Sequence, residues 1–72
     1  MSLGEDRIRP RFNPSDSPLV DEIKDKAIEL INLLQKSRKE GDTAEIARLW
    51  SLAQTSIEDG CMWGCKAASI AP

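Results

Sequence analysis

The stretch Val20-Asp21-Glu22-Ile23-Lys24-Asp25-Lys26-Ala27-Ile28-Glu29-Leu30-Ile31-Asn32-Leu33-Leu34-Gln35-Lys36-Ser37-Arg38-Lys39-Glu40-Gly41-Asp42-Thr43-Ala44-Glu45-Ile46 decides the fold. Val20, Ile23, Ala27, Leu30, Ile31 and Leu34 recur at spacings of three, four and seven, the period of an amphipathic helix. Asp21 and Glu22 fall in its first turn and Lys36, Arg38 and Lys39 near its end, so both charge groups complement the helix dipole. Ser17 is a good N-cap and Pro18 suits the first helical position, which predicts a helix over about 18–40. Gly41 reads as the C-cap glycine that ends it. Asp42, with Glu45 three residues on, makes a capping-box pattern that opens a second helix over about 43–69. So short a connection between two long helices predicts an all-α fold, an antiparallel two-helix hairpin spanning residues 18–70.

In the second helix, Ile46, Leu49, Trp50, Ala53, Ile57, Gly60, Cys61, Gly64, Ala67 and Ala68 are read as one face that packs on the first. A second apolar edge, Leu52, Met62, Trp63 and Ile70, cannot be covered by the same hairpin and marks an interface. Gly60 and Gly64 each cost the helix roughly 1 kcal/mol relative to alanine, which close approach by another helix or a ligand would offset. Leu52, Gly60, Met62, Trp63, Gly64 and Ile70 are therefore the expected subunit interface. The hairpins are expected to pair into an oligomeric helical bundle of at least four helices.

Size points the same way. A 72-residue chain has room for one domain, and a core this small seldom supplies more than about 3–5 kcal/mol unaided. Cys61 and Cys65, four apart on a helix, are poorly placed for a disulfide, and with no histidine in the chain they make only half a zinc site. They read as reduced, packed residues of an intracellular protein, with no metal and no cofactor expected. Self-association is then the leading source of stability.

The formal net charge of −2 argues against general DNA or RNA binding, and no apolar run approaches the roughly 20 residues of a membrane span. No signal peptide is visible. Residues 1–17 lack helical period and read as an extended arm, with 1–3 set aside as a probable expression scar. Arg7, Arg9 and Arg11 alternate along the arm, followed by Phe12. Arginine suits phosphate and an aromatic ring suits a base.

No catalytic constellation appears, and an enzyme is not expected. Glu58-Asp59 reads as a solvated helix face. Thr55 lies mid-helix, where threonine is not favoured. Phe12, Lys24, Thr55 and Lys66, with Arg11 nearby, are the expected lining of a small polar pocket for an anionic small molecule.

Phe12-Asn13-Pro14 ahead of Val20-Asp21-Glu22-Ile23-Lys24 and Ala27-Ile28-Glu29-Leu30-Ile31 resembles the start of a family of small phage helical-hairpin proteins. Leu52 to Ala67, with its Ala-Gln-Thr step, Met62 and Lys66-Ala67, resembles that family's second helix. This is the hairpin domain of phage anti-CBASS and anti-Thoeris nucleotide sponges, and the resemblance covers nearly all of residues 12–70. It implies a protein without catalytic activity that binds cyclic di- or trinucleotides, or cyclic ADP-ribose signals, in pockets between subunits of a homo-oligomer. A tetramer or hexamer acting in the host-cell cytoplasm is the expectation. The family's pocket aromatic and early-helix lysine match Phe12 and Lys24. Phenylalanine would stack on a base but lacks a hydroxyl, and Gln54 stands where many members carry a basic residue. Two other readings compete. One is a helical-bundle protein–protein interaction module that docks through the Trp63 edge. The other, a small transcriptional regulator, is weakened by the charge and by the lack of a third helix.

Overall fold

The computed structural model describes residues 2–9, 13 and 16–70. Three helices follow in order: α1 (Leu3–Arg7), α2 (Pro18–Ser37) and α3 (Ala44–Ile70). The described residues contain no strand. Helices α2 and α3 form the hairpin, and α1 packs on α2. The molecule measures 46 × 21 × 13 Å. Its least dimension is close to the diameter of a single helix with side chains, so the hairpin is one layer thick.

The arm departs from the extended expectation, because Leu3–Arg7 is helical. The Ser2 hydroxyl accepts from the Glu5 amide and the Glu5 carboxylate accepts from the Ser2 amide, both at 3.1 Å, a complete capping box. Five residues are too few to register as a period, so the cap carried the only signal. Leu3 packs against the core, and Ile8 is buried within it. Gly4 meets α2 most closely. Its amide donates to Asn32 Oδ1 at 2.8 Å, and a Cβ there would lie 2.6 Å from the Ile28 carbonyl oxygen. That oxygen belongs to a helix backbone and cannot yield, so Gly4→Ala is expected to lift α1 off α2. Tryptic cleavage at Arg7 should quicken roughly tenfold, as for an opening made easier by about 1.4 kcal/mol. Unchanged cleavage would show that the Gly4 contact does not hold the arm.

Ser17 occupies the N-cap of α2, but its hydroxyl makes no capping bond. Asn13 brackets it instead: Oδ1 accepts from the Ser17 amide at 3.3 Å, while Nδ2 donates to the Ser17 carbonyl at 2.8 Å and to Asp21 Oδ1 at 3.0 Å. Helix α2 stops at Ser37, short of Gly41, and Arg38 takes the C-cap with extended backbone. Gly41 does not adopt the left-handed conformation of a C-cap glycine. The early stop frees Arg38 to cross to α3, where its guanidinium donates to the Ala47 carbonyl, the Ser51 hydroxyl and Gln54 Oε1.

Thr43, not Asp42, caps α3, its hydroxyl accepting from the Ile46 amide at 3.2 Å. Asp42 closes the turn instead, accepting from the Lys39 amide at 2.9 Å and from Trp50 Nε1 at 3.1 Å. Glu45 pairs with Arg48 at 2.7 Å rather than completing a capping box.

The face of α3 that meets α2 is also rotated from the expected one. Ile46, Leu49, Gly60 and Ala67 are exposed, while Gln54, Cys61 and Ala68 are buried and Ile57 half-buried. The apolar pattern concealed this because the seam passes through glutamine. Gln54 is only 1% exposed, and its amide donates to Gln35 Oε1 at 3.0 Å and to the Ile31 carbonyl at 3.4 Å. A buried amide so satisfied avoids the desolvation penalty that an unpaired one would incur. Across the seam α2 buries Val20, Lys24, Ala27 and Ile31, whereas Leu30 stays exposed. The resulting core is small: Ile8, Ala27, Ile31 and Cys61, flanked by Leu3, Ile23, Ile28, Ile57 and Cys65.

Candidate functional site

A cavity of about 610 Å³ opens between the arm, the first half of α2 and the second half of α3. Its α3 wall follows from helix geometry. Thr55, Asp59, Met62, Lys66 and Ser69 recur at alternating steps of four and three, so one stripe of the helix lines the space. Val20 and Lys24 line it from α2, and Arg7, Ile8, Arg9 and Asn13 from the arm.

Of the residues expected in a pocket, Lys24, Thr55 and Lys66 are brought together here. Arg11 and Phe12 lie outside the described residues. Lys24 is buried, and its ammonium donates to the Arg9 carbonyl at 2.8 Å, tying the arm to α2. Lys66 stands 5.8 Å from the centre of the Trp63 ring, within reach of a cation–π contact. Arg7 meets Glu58 at 3.5 Å across the cavity wall.

Glu58 and Asp59, read as a solvated face, line the cavity with Asp59 exposed and Glu58 half-buried, and Cys61, read as a packed residue, lines it from the core. The stripe that contains Thr55 and Lys66 also contains Asp59, so the spacing that selected the first two could have found the third. The lining carries four described cations, Arg7, Arg9, Lys24 and Lys66, against the two carboxylates of Glu58 and Asp59. The pocket is thus locally positive in a chain of net charge −2, a polarity suited to an anionic ligand.

Cys61 and Cys65 are free thiols whose sulfurs lie 3.9 Å apart. Burial, reinforced by the adjacent Cys65, pushes the Cys61 thiol up to about 11. At neutral pH it is protonated and a weak nucleophile. No group of three or more His, Cys, Asp or Glu side chains placed to hold a metal ion occurs among the described residues.

The expected interface residues divide. Leu52, Met62, Trp63 and Ile70 are exposed, Trp63 by 61%. Gly60 is also exposed, and a Cβ there would meet nothing within 4 Å. Gly64 differs. A Cβ on it would lie 3.7 Å from Ile23 of the same chain, so it faces the intramolecular seam rather than open surface. Among the described residues, no helix is long and apolar enough to cross a membrane.

A family model described as the Acb2/Tad1 hairpin domain matches residues 4–69. Comparison with curated proteins and with solved structures gives no match.

Proposed function

The chain belongs to the Acb2/Tad1 hairpin-domain family, the anti-CBASS and anti-Thoeris sponges, and from that premise we propose that it binds and sequesters cyclic oligonucleotide second messengers without catalysis. The observation that carries this reading is the cavity beside Lys24, with its surplus of cations and its wall of Thr55, Met62 and Lys66. Phosphates would be held by Lys24 and Lys66, with Arg11 reaching from the arm, while Phe12 would stack on a base. Sequestration needs only tight binding and abundance. A nanomolar affinity corresponds to about −12 kcal/mol, within reach of two stacked bases and several phosphate contacts in a preorganised pocket.

The assembly proposed is a homo-oligomer, tetramer or hexamer, in the cytoplasm of the infected or lysogenic host, with the pockets completed between subunits. A hairpin one layer thick leaves Leu52, Met62, Trp63 and Ile70 uncovered, and such an edge favours burial against another chain. Gly60 supports the same view. Outside its own turn of helix, no described residue of its own chain comes within 4 Å of where the side chain would be, whereas a neighbouring helix could use the space. The exposed edge equally suits the second reading, a protein–protein interaction module without a small ligand.

Calorimetry against a panel of cyclic di- and trinucleotides, beside native mass spectrometry of the same sample, separates the two. A defined oligomer that takes up one class of cyclic nucleotide at fixed stoichiometry is the expected result. A folded oligomer that binds none of them, yet captures one protein stoichiometrically, would establish the interaction module instead.

A further inference from the structure

Asp59 is the pocket group that the proposed phosphate chemistry leaves unexplained. A carboxylate in a cavity suited to phosphates opposes the ligand's charge unless it meets a donor. Its neighbour Glu58 has one, since Arg7 stands 3.5 Å away. The Asp59 carboxylate has neither a hydrogen bond nor an ion pair with any described residue, and it lines the cavity one turn beyond Thr55. Asp59 is exposed on the stripe that carries Thr55, Met62 and Lys66 into the cavity, so its carboxylate is accessible to whatever enters there.

An ionised carboxylate only accepts hydrogen bonds, and it has two oxygens to accept with. Among nucleobases, guanine offers it two adjacent donors on one edge, N1–H and the N2 amino group. Adenine presents one amino donor beside an acceptor nitrogen, which repels the second oxygen. Seven residues separate Asp59 from Lys66, about 10 Å of helix rise, a span of the order of that between a purine's outer edge and its phosphate. We propose that Asp59 reads the base in this pocket and makes it prefer guanine-containing cyclic dinucleotides to all-adenine ones. The proposal rests on the cyclic-nucleotide reading of the cavity. Met62, three residues on, lines the same wall and gives the base an apolar surface.

The test compares cyclic diguanylate with cyclic diadenylate by calorimetry, on the intact chain and on Asp59→Asn. The wild type should bind the guanine ligand roughly tenfold tighter or more, the discrimination of one good bidentate contact. Asp59→Asn should abolish or invert that ratio, because its amide can donate to the adenine acceptor. Affinity for cyclic diadenylate should hold or rise, since a like charge has left the pocket. The ratio is the readout, because the electrostatic gain affects both ligands alike. Equal wild-type affinities, or a ratio unchanged in Asp59→Asn, would overturn the role of Asp59 and leave the pocket intact. Failure of every cyclic nucleotide to bind would overturn the pocket reading itself and the role of Asp59 with it.

Discussion

Ile31→Ala is expected to lower the unfolding free energy by about 2–5 kcal/mol. Ile31 is fully buried, at 0% exposure, and sits where Ile8, Ala27 and Cys61 meet. Truncation removes buried apolar surface and leaves a void that the flanking side chains fill only in part. In a domain this size the loss is comparable to all the stability a single core seldom exceeds, roughly 3–5 kcal/mol. The variant should be largely unfolded when dilute and, in the proposed homo-oligomer, regain helicity with concentration by mass action. Urea titration followed by circular dichroism, at two protein concentrations, measures both effects. A change below about 0.5 kcal/mol, the level of a surface substitution, would show that the seam does not close on Ile31.

Lys24→Ala is expected to weaken cyclic-nucleotide binding roughly 10- to 100-fold, the worth of one hydrogen bond to a charged group. Lys24 does two things, and they can be told apart. Its ammonium holds the Arg9 carbonyl at 2.8 Å, and its charge lies in the cavity lining. Loss of the tether should lower thermal stability only modestly, by about 1–2 kcal/mol, since Lys24 lies at the edge of the α2–α3 seam and the core cluster around Ile31 does not include it. Affinity and melting should therefore respond unequally. If melting falls as far as in Ile31→Ala while affinity holds, the lysine is a strut and not a ligand group.

The hairpin was legible because its signals are redundant. Pro18 at the helix start, the apolar period from Val20 to Ile31 and a short polar connection all say the same thing. Its details were not, wherever two polar residues compete for one role. Asp42 and Thr43 both suit an N-cap, and the hydroxyl won because the Asp42 carboxylate is drawn to the Lys39 amide and Trp50 Nε1. Gly41 looked like a stop signal, but the exit of α2 is set by what the Arg38 side chain finds across the gap. The rotation of α3 was hidden for a related reason. Periodicity counts apolar residues, and here the most deeply buried side chain of α3 is Gln54, whose partners lie 16, 19 and 23 positions away. Lys24, Thr55 and Lys66, singled out by residue chemistry and the family resemblance, line one cavity, and Asp59 joins them there only once the helix geometry is known.

The thinness of the fold bears on how such a chain can change over generations. A body 13 Å across has little depth to shield a core, and its buried apolar side chains form one narrow spine, Val20 to Ile31 on α2 and Cys61 to Ala68 on α3, closed over by Ile8 of the arm. Substitutions off that spine meet water or, in the proposed assembly, a neighbouring subunit or the ligand, and most leave the hairpin standing. Heritable variation is thus steered toward the two surfaces that recognise something. One lineage of hairpins can retune what it captures, and which copies it assembles with, while the spine stays fixed.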